Sequence, residues 1–131
     1  MSKFIVIEHD ANRAGKHFDI RFQIPNSTSM WASFACRKDI PINTGTKILA
    51  IRTKDHTSKE ALFTGKIESG YGAGTLKKWD GGNCNIEKYS NSHISIDFKG
   101  SKMKGIYHFV NTKVMNKKDK GESYMLFKGK I

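Results

Sequence analysis

Cysteine is scarce in this chain of 131 residues, with Cys36 and Cys84 the only two. They lie far apart and form no CxxC, which argues against a disulfide framework and a structural zinc site. That pattern points to a reducing, cytoplasmic compartment. No apolar run approaches the roughly 18 residues that a membrane helix needs. Phe4-Ile5-Val6-Ile7 is too short an apolar core for a secretory signal before the chain turns charged. No repeat, low-complexity block or Pro/Gly-rich linker interrupts the chain, so residues 1–131 read as a single domain.

Acidic residues are also few. Lys and Arg number 23 against 12 Asp and Glu, a formal charge of +11. The basic residues recur from Lys3 to Lys130 rather than in one tail. A surplus of this size favours a polyanionic partner, most simply nucleic acid. With 37% hydrophobic and 27% charged residues, the composition is that of a folded globular protein and excludes intrinsic disorder.

What is present is a period of two. Phe18, Ile20, Phe22 and Ile24 alternate with polar residues, as do Ile94, Ile96 and Phe98. Turn signals such as Pro25-Asn26-Ser27, Asn43-Thr44-Gly45 and Asp80-Gly81-Gly82-Asn83 separate such runs. Eight or so short strands argue for an all-β, mainly antiparallel barrel or sandwich. Thr57-Ser58-Lys59-Glu60 fits a capping box and predicts a single helical turn. The stretch from Asn111 to Gly121, with Lys113, Lys117, Lys118 and Lys120, reads as an exposed loop.

The chemistry concentrates in Lys16-His17-Phe18-Asp19-Ile20-Arg21-Phe22. On a strand His17, Asp19 and Arg21 share one face, spaced about 7 Å apart, opposite the apolar trio. An imidazole and a carboxylate so placed can converge on a borderline divalent metal. A guanidinium one step further can grip a phosphate with its planar fork. A strand with a solvated outer face yields the same string. His9 adds weight, because a hairpin would bring it beside the start of the second strand and complete a two-His, one-Asp set. Asp10 reads as a turn residue, and His56 as a loop histidine after a strand. His93 reads as solvent-facing and His108 has no nameable partner. Trp31 and Trp79 read as core anchors rather than base-stacking platforms. The GxG in Tyr71-Gly72-Ala73-Gly74 reads as a tight turn.

His9-Asp10-Ala11 followed by His17-Phe18-Asp19-Ile20-Arg21-Phe22 resembles the HDA…HYDFRLE signature of the 3′-phosphoesterase domain of bacterial DNA ligase D. Met30-Trp31-Ala32, Asp55-His56, Phe63-Thr64-Gly65, Tyr71-Gly72-Ala73-Gly74-Thr75 and Trp79-Asp80 resemble its later motifs in the same order. The resemblance implies a small β-barrel of about eight strands with at most one or two short helical turns. It implies a metal-dependent phosphoesterase acting in DNA repair, which removes a 3′-phosphate or a terminal ribonucleoside from nucleic-acid ends. The implied metal is Mn, with Zn or Co also compatible with the donors. His9, His17 and Asp19 would ligate it. Arg21 and His56 would contact the scissile phosphate, with His56 as proton donor.

Arg13, Lys16, Arg37, Lys38, Lys47 and Arg52 are candidates to hold the backbone of a DNA or RNA 3′ end. Any joining or polymerising step would come from a separate ligase or polymerase. The chain departs from the family pattern at Ile7, Ala35, Ile48 and Glu60, where the family carries a glutamine, a lysine, a basic residue and a tyrosine. Those departures keep open a non-catalytic nucleic-acid-binding barrel, or a docking module for a separate repair enzyme.

Overall fold

A computed structural model describes residues 2–12, 15–27, 29–67, 73–116 and 121–129. Among them run β1 (Ser2–Ala11), β2 (Gly15–Gln23), β3 (Met30–Cys36), β4 (Lys47–Thr57), α1 (Ser58–Ala61), β5 (Gly65–Ile67), β6 (Gly74–Tyr89), β7 (His93–Lys99), β8 (Lys104–Asn116) and β9 (Gly121–Lys128). The sheet order is β1-β2-β3-β4-β9-β8-β7-β6, and β6 pairs back onto β1. Eight antiparallel strands therefore close into a barrel, as expected from the sequence. Among the described residues β5 pairs only with the first residues of β6. Among the described residues no helix is long and apolar enough to cross a membrane.

Alternation decides what fills the barrel. Phe18, Ile20 and Phe22 of β2 point inward to join Phe34, Phe98, Tyr107, Phe109, Tyr124 and Leu126. The Phe34 ring lies 4.7 Å from Phe109 and meets Tyr124 edge-on at 5.2 Å. The Tyr107 hydroxyl donates to the Pro41 carbonyl at 2.6 Å. Burial pushes that hydroxyl's pKa up to about 12. Cys36 and Cys84 are both buried and free. Burial raises both thiols, that of Cys84 to about 12.

Two expectations about loops are corrected. Asp10 is no turn residue: it pairs with Lys16 of β2 and Thr75 of β6. Asn111 and Lys113 belong to β8, and Gly121 opens β9. Pairing across a closed barrel overrides the turn preference of Asp and Asn. Lys117, Lys118 and Lys120 lie outside the described residues, as do Tyr71 and Gly72.

Asp80 ties the barrel at the bend of β6. Its carboxylate accepts backbone N–H bonds from Gly81 at 2.8 Å, Ser101 at 2.9 Å, Lys102 at 2.9 Å and Met103 at 2.7 Å. Burial works against ionisation here, but the four donors outweigh it and hold the carboxyl below its ordinary range. Because the folded pKa is lowered, the stabilisation is present above the ordinary carboxylate pKa and is lost as pH falls through the lowered value. Asp80→Ala orphans one buried and three part-buried donors. We expect a loss of about 3 kcal/mol in denaturant unfolding at neutral pH, shrinking as both proteins are compared at lower pH.

Candidate metal centre and phosphate site

The outer face of β1 and β2 carries the residues of interest. With Phe18, Ile20 and Phe22 committed inward, His17, Asp19 and Arg21 must face out. The β1–β2 register sets His9 directly opposite His17, and their ring centroids lie 4.7 Å apart. His17 Nε2 stands 3.4 Å from Asp19 Oδ1. One ligand atom from each of His9, His17 and Asp19 lies within 4.8 Å of the other two. Ligands about 2.1 Å from a shared ion stand up to about 4.2 Å apart, so small rotamer turns suffice. Two imidazoles and a carboxylate suit a borderline divalent metal and leave coordination positions open. The donor set therefore fits the expected group.

Asp19 is buried, and its cross-strand neighbours are apolar: Ile7 on β1 and Ala35 on β3. On its own strand Asp19 meets His17 on one side and Arg21 at 3.3 Å on the other. Ile7 belongs to a second apolar cluster outside the barrel, with Ile5, Trp31, Ala61 and Leu76. Ile48, the third departure, points into the barrel core.

That outer cluster seats α1 over the site. Thr57 and Glu60 close the expected capping box, Thr57 N donating to Glu60 Oε1 at 2.9 Å. Ala61 is buried, and Trp31 Nε1 donates to Ser58 Oγ at 2.9 Å. Trp31 is accordingly a packing residue. Arg21 completes the anchor: its Nη1 donates to the carbonyls of Glu60 at 3.2 Å and Ala61 at 3.0 Å. These are end-of-helix acceptors that a cation satisfies well. Burial lowers the Arg21 pKa, with Asp19 and Glu60 opposing, and the guanidinium stays charged. Its Nε is a buried donor without an acceptor among the described residues.

His56 reaches this face through a β-bulge. Trp31 pairs with His56 and Ser33 with Thr53, so β4 spends three steps against two on β3. Uninterrupted alternation from Thr53 would turn His56 toward the barrel interior; the extra residue turns it outward. His56 therefore sits at the end of β4, not in a loop. Burial first, then the charge of Arg21, lowers its pKa below the ordinary imidazole value, while Glu60 and Asp19 pull it upward and Lys54 adds to the lowering. His56 Nδ1 lies 4.0 Å from Glu60 Oε1.

The basic candidates are dispersed. Lys16 pairs with Glu8 at 3.4 Å. Arg37 and Lys38 are exposed just beyond β3. Arg52 donates to Tyr89 Oη at 2.7 Å and lies over the Phe34 ring. Lys47 sits at the far end of β4. Arg13 lies outside the described residues. His93 and His108, read separately from sequence, are partners: Nε2 and Nδ1 lie 2.8 Å apart. The β7–β8 register, which sets Ser95 opposite His108, is the signal that pairs them.

Glu60 offers a test of the site's electrostatics. Glu60→Gln keeps the capping box but removes the charge that raises His56. We expect the His56 imidazole to titrate at still lower pH in the variant, read by NMR; an upward shift would contradict the arrangement.

The DNA Ligase D 3′-phosphoesterase domain family matches residues 7–111 of this chain. The multifunctional non-homologous end joining protein LigD of Mycolicibacterium smegmatis is 33% identical over 126 residues, covering 87% of this chain and 16% of that protein. The corresponding DNA repair protein of Mycobacterium tuberculosis is 34% identical over 114 residues, 83% of this chain and 14% of its own length. LigD of Pseudomonas aeruginosa is 31% identical over 134 residues, 98% of this chain and 15% of that protein. The chain thus spans a small fraction of the relatives it resembles.

Proposed function

Because the chain belongs to the DNA ligase D 3′-phosphoesterase domain family, we propose that it is a metal-dependent phosphoesterase that trims nucleic-acid 3′ ends for repair. The observation that carries this reading is the convergence of His9, His17 and Asp19 beside the buried guanidinium of Arg21. His9, His17 and Asp19 would hold the ion, with Mn favoured over Zn or Co. Bound there, a divalent cation supplies charge neutralisation on a phosphate oxygen and lowers the pKa of water.

The remaining work falls to side chains. Arg21 already spends Nη1 on α1 and one Nη2 hydrogen on Asp19, so the second Nη2 hydrogen and Nε are the donors left for a phosphate oxygen. The guanidinium is held rigidly, which favours electrostatic stabilisation of charge that builds up in the transition state. His56 stands on the same outer face and would give a proton to the leaving 3′ oxygen. A phosphate dianion between Arg21 and His56 offsets the guanidinium charge that lowers the imidazole pKa, and so favours the protonated donor. The dispersed lysines would hold the backbone without reading sequence.

A second reading rests on Ile7 and Ala35. Their apolar side chains flank Asp19 on both neighbouring strands, which suits a barrel that binds ends without cutting them. One assay separates the two. Purified protein with Mn²⁺ should convert a 3′-phosphate primer to 3′-hydroxyl, and His17→Ala or Asp19→Ala should abolish this. His56→Ala should lower turnover by about 100-fold while metal affinity, measured by calorimetry, is retained. A wild type that is inert with Mn²⁺, Zn²⁺ and Co²⁺, yet binds ends in a salt-sensitive way, would establish the second reading.

Ala35 supplies an independent check. It lies directly across from Asp19 on the outer face. Ala35→Lys puts an ammonium beside the phosphate position, and we expect kcat/KM for the 3′-phosphate to rise by up to about tenfold. An unchanged or lower kcat/KM would show that position 35 does not face the reacting phosphate.

A further inference from the structure

Phe63 and Leu62 follow α1 and stay out of both apolar clusters among the described residues. Both are about half exposed, Leu62 at 50% and Phe63 at 46%. Single exposed apolar residues are ordinary on a protein surface, but these two stand in succession beside an ionic cluster. Backbone hydrogen bonds fix them there. Leu62 N donates to the Ser58 carbonyl at 3.1 Å, and Phe63 N to the Glu60 carbonyl at 3.3 Å. That same Glu60 oxygen accepts from Arg21 Nη1 at 3.2 Å. A single oxygen atom therefore links the Phe63 backbone to the guanidinium.

Strand register leads to the same place from the other side. β5, β6, β1 and β2 lie side by side. His17 pairs with His9, His9 with Leu76, and Leu76 with Gly65, so the four residues form one row across the sheet. Two strand spacings, about 10 Å, separate Gly65 from His9. The Phe63 ring rests beside Gly65, its Cζ 3.8 Å from the position a Cβ would take. Gly65 has φ +132°, a conformation open to glycine, which lets the chain turn from Phe63 into β5. The ring is thus tied to Arg21 through α1 and to the row of His9 and His17 through β5.

We propose that Phe63 is the platform for the base of the nucleotide whose 3′ phosphate enters the candidate metal centre. The proposal rests on the 3′-end reading for what holds that phosphate. Phosphate and base belong to one nucleotide, so a phosphate held at Arg21 keeps its base near the surfaces that border the site. Among the described residues the exposed aromatics are Phe63 and Tyr89, and Tyr89 is engaged by Arg52. Trp31 and Trp79 are spent on packing. The last base of a strand has one face on its neighbour and one face bare, and an aromatic ring covers the bare face whatever the base. Leu62 widens the apolar surface beside it. Such a contact reads no sequence. It separates an end that carries a base from an end that has lost one.

Binding without added metal tests this apart from turnover. Single strands of about 10 nucleotides end in a 3′ phosphate, borne either by an ordinary nucleotide or by an abasic sugar. We expect the wild type to bind the base-bearing strand about tenfold more tightly. Phe63→Ala should bind both strands with the affinity of the abasic one, which also shows that the variant is folded. Phe63→Tyr should keep the preference. A 2-aminopurine at the 3′ end should lose fluorescence on binding the wild type and keep it with Phe63→Ala. Equal affinity of the wild type for the two strands overturns the proposal, as does a preference that survives Phe63→Ala. A wild type that prefers the base-bearing end but releases no phosphate with Mn²⁺ overturns the phosphoesterase reading and leaves this contact standing.

Discussion

Every side chain of the candidate metal centre faces out because its neighbours are compelled to face in. Phe18, Ile20 and Phe22 are buried in the barrel, each stabilising it by about 1.5–3 kcal/mol. Slipping β2 by one residue would expose all three and drive His17, Asp19 and Arg21 into an apolar interior. No local preference of a histidine or an aspartate competes with that cost. The chemistry is positioned by residues that take no part in it, and the β1–β2 register then delivers His9 to His17.

Arg21 shows how tightly the outer layer is coupled. One guanidinium touches Asp19, two carbonyls at the end of α1, and retains spare donors. The turn that carries Glu60, and with it part of the field at His56, is therefore seated by the same cation that adjoins the candidate metal donors. Burial and charge act together here: α1 and the outer apolar cluster exclude water, and the excluded water strengthens each remaining ionic contact.

Much of this was legible from spacing, and the illegible part has a common cause. Alternation in β2 and the capping box at Thr57 span a few residues, so a short stretch of sequence contains the whole physical argument. The barrel closure by β1 and β6, the bulge that turns His56 outward, and the pairing of His93 with His108 each depend on which strand lies alongside. Asp10 and Asn111 misled for the same reason: their local preference is for turns, and strand partners outweighed it. The two apolar neighbours of Asp19 were visible as departures, but only the register shows that both border the same carboxylate.

The Asp80 clasp joins residues 21 to 23 positions apart through a single carboxylate. That is the topological work of a cross-link, done by hydrogen bonds. A covalent bridge would tie the barrel's integrity to the thiol balance of its surroundings, whereas this tether is indifferent to reductant and yields only to protons. It can also open and re-form on the timescale of folding itself, so the bend of β6 needs no oxidant, no exchange catalyst and no second chance at correct pairing.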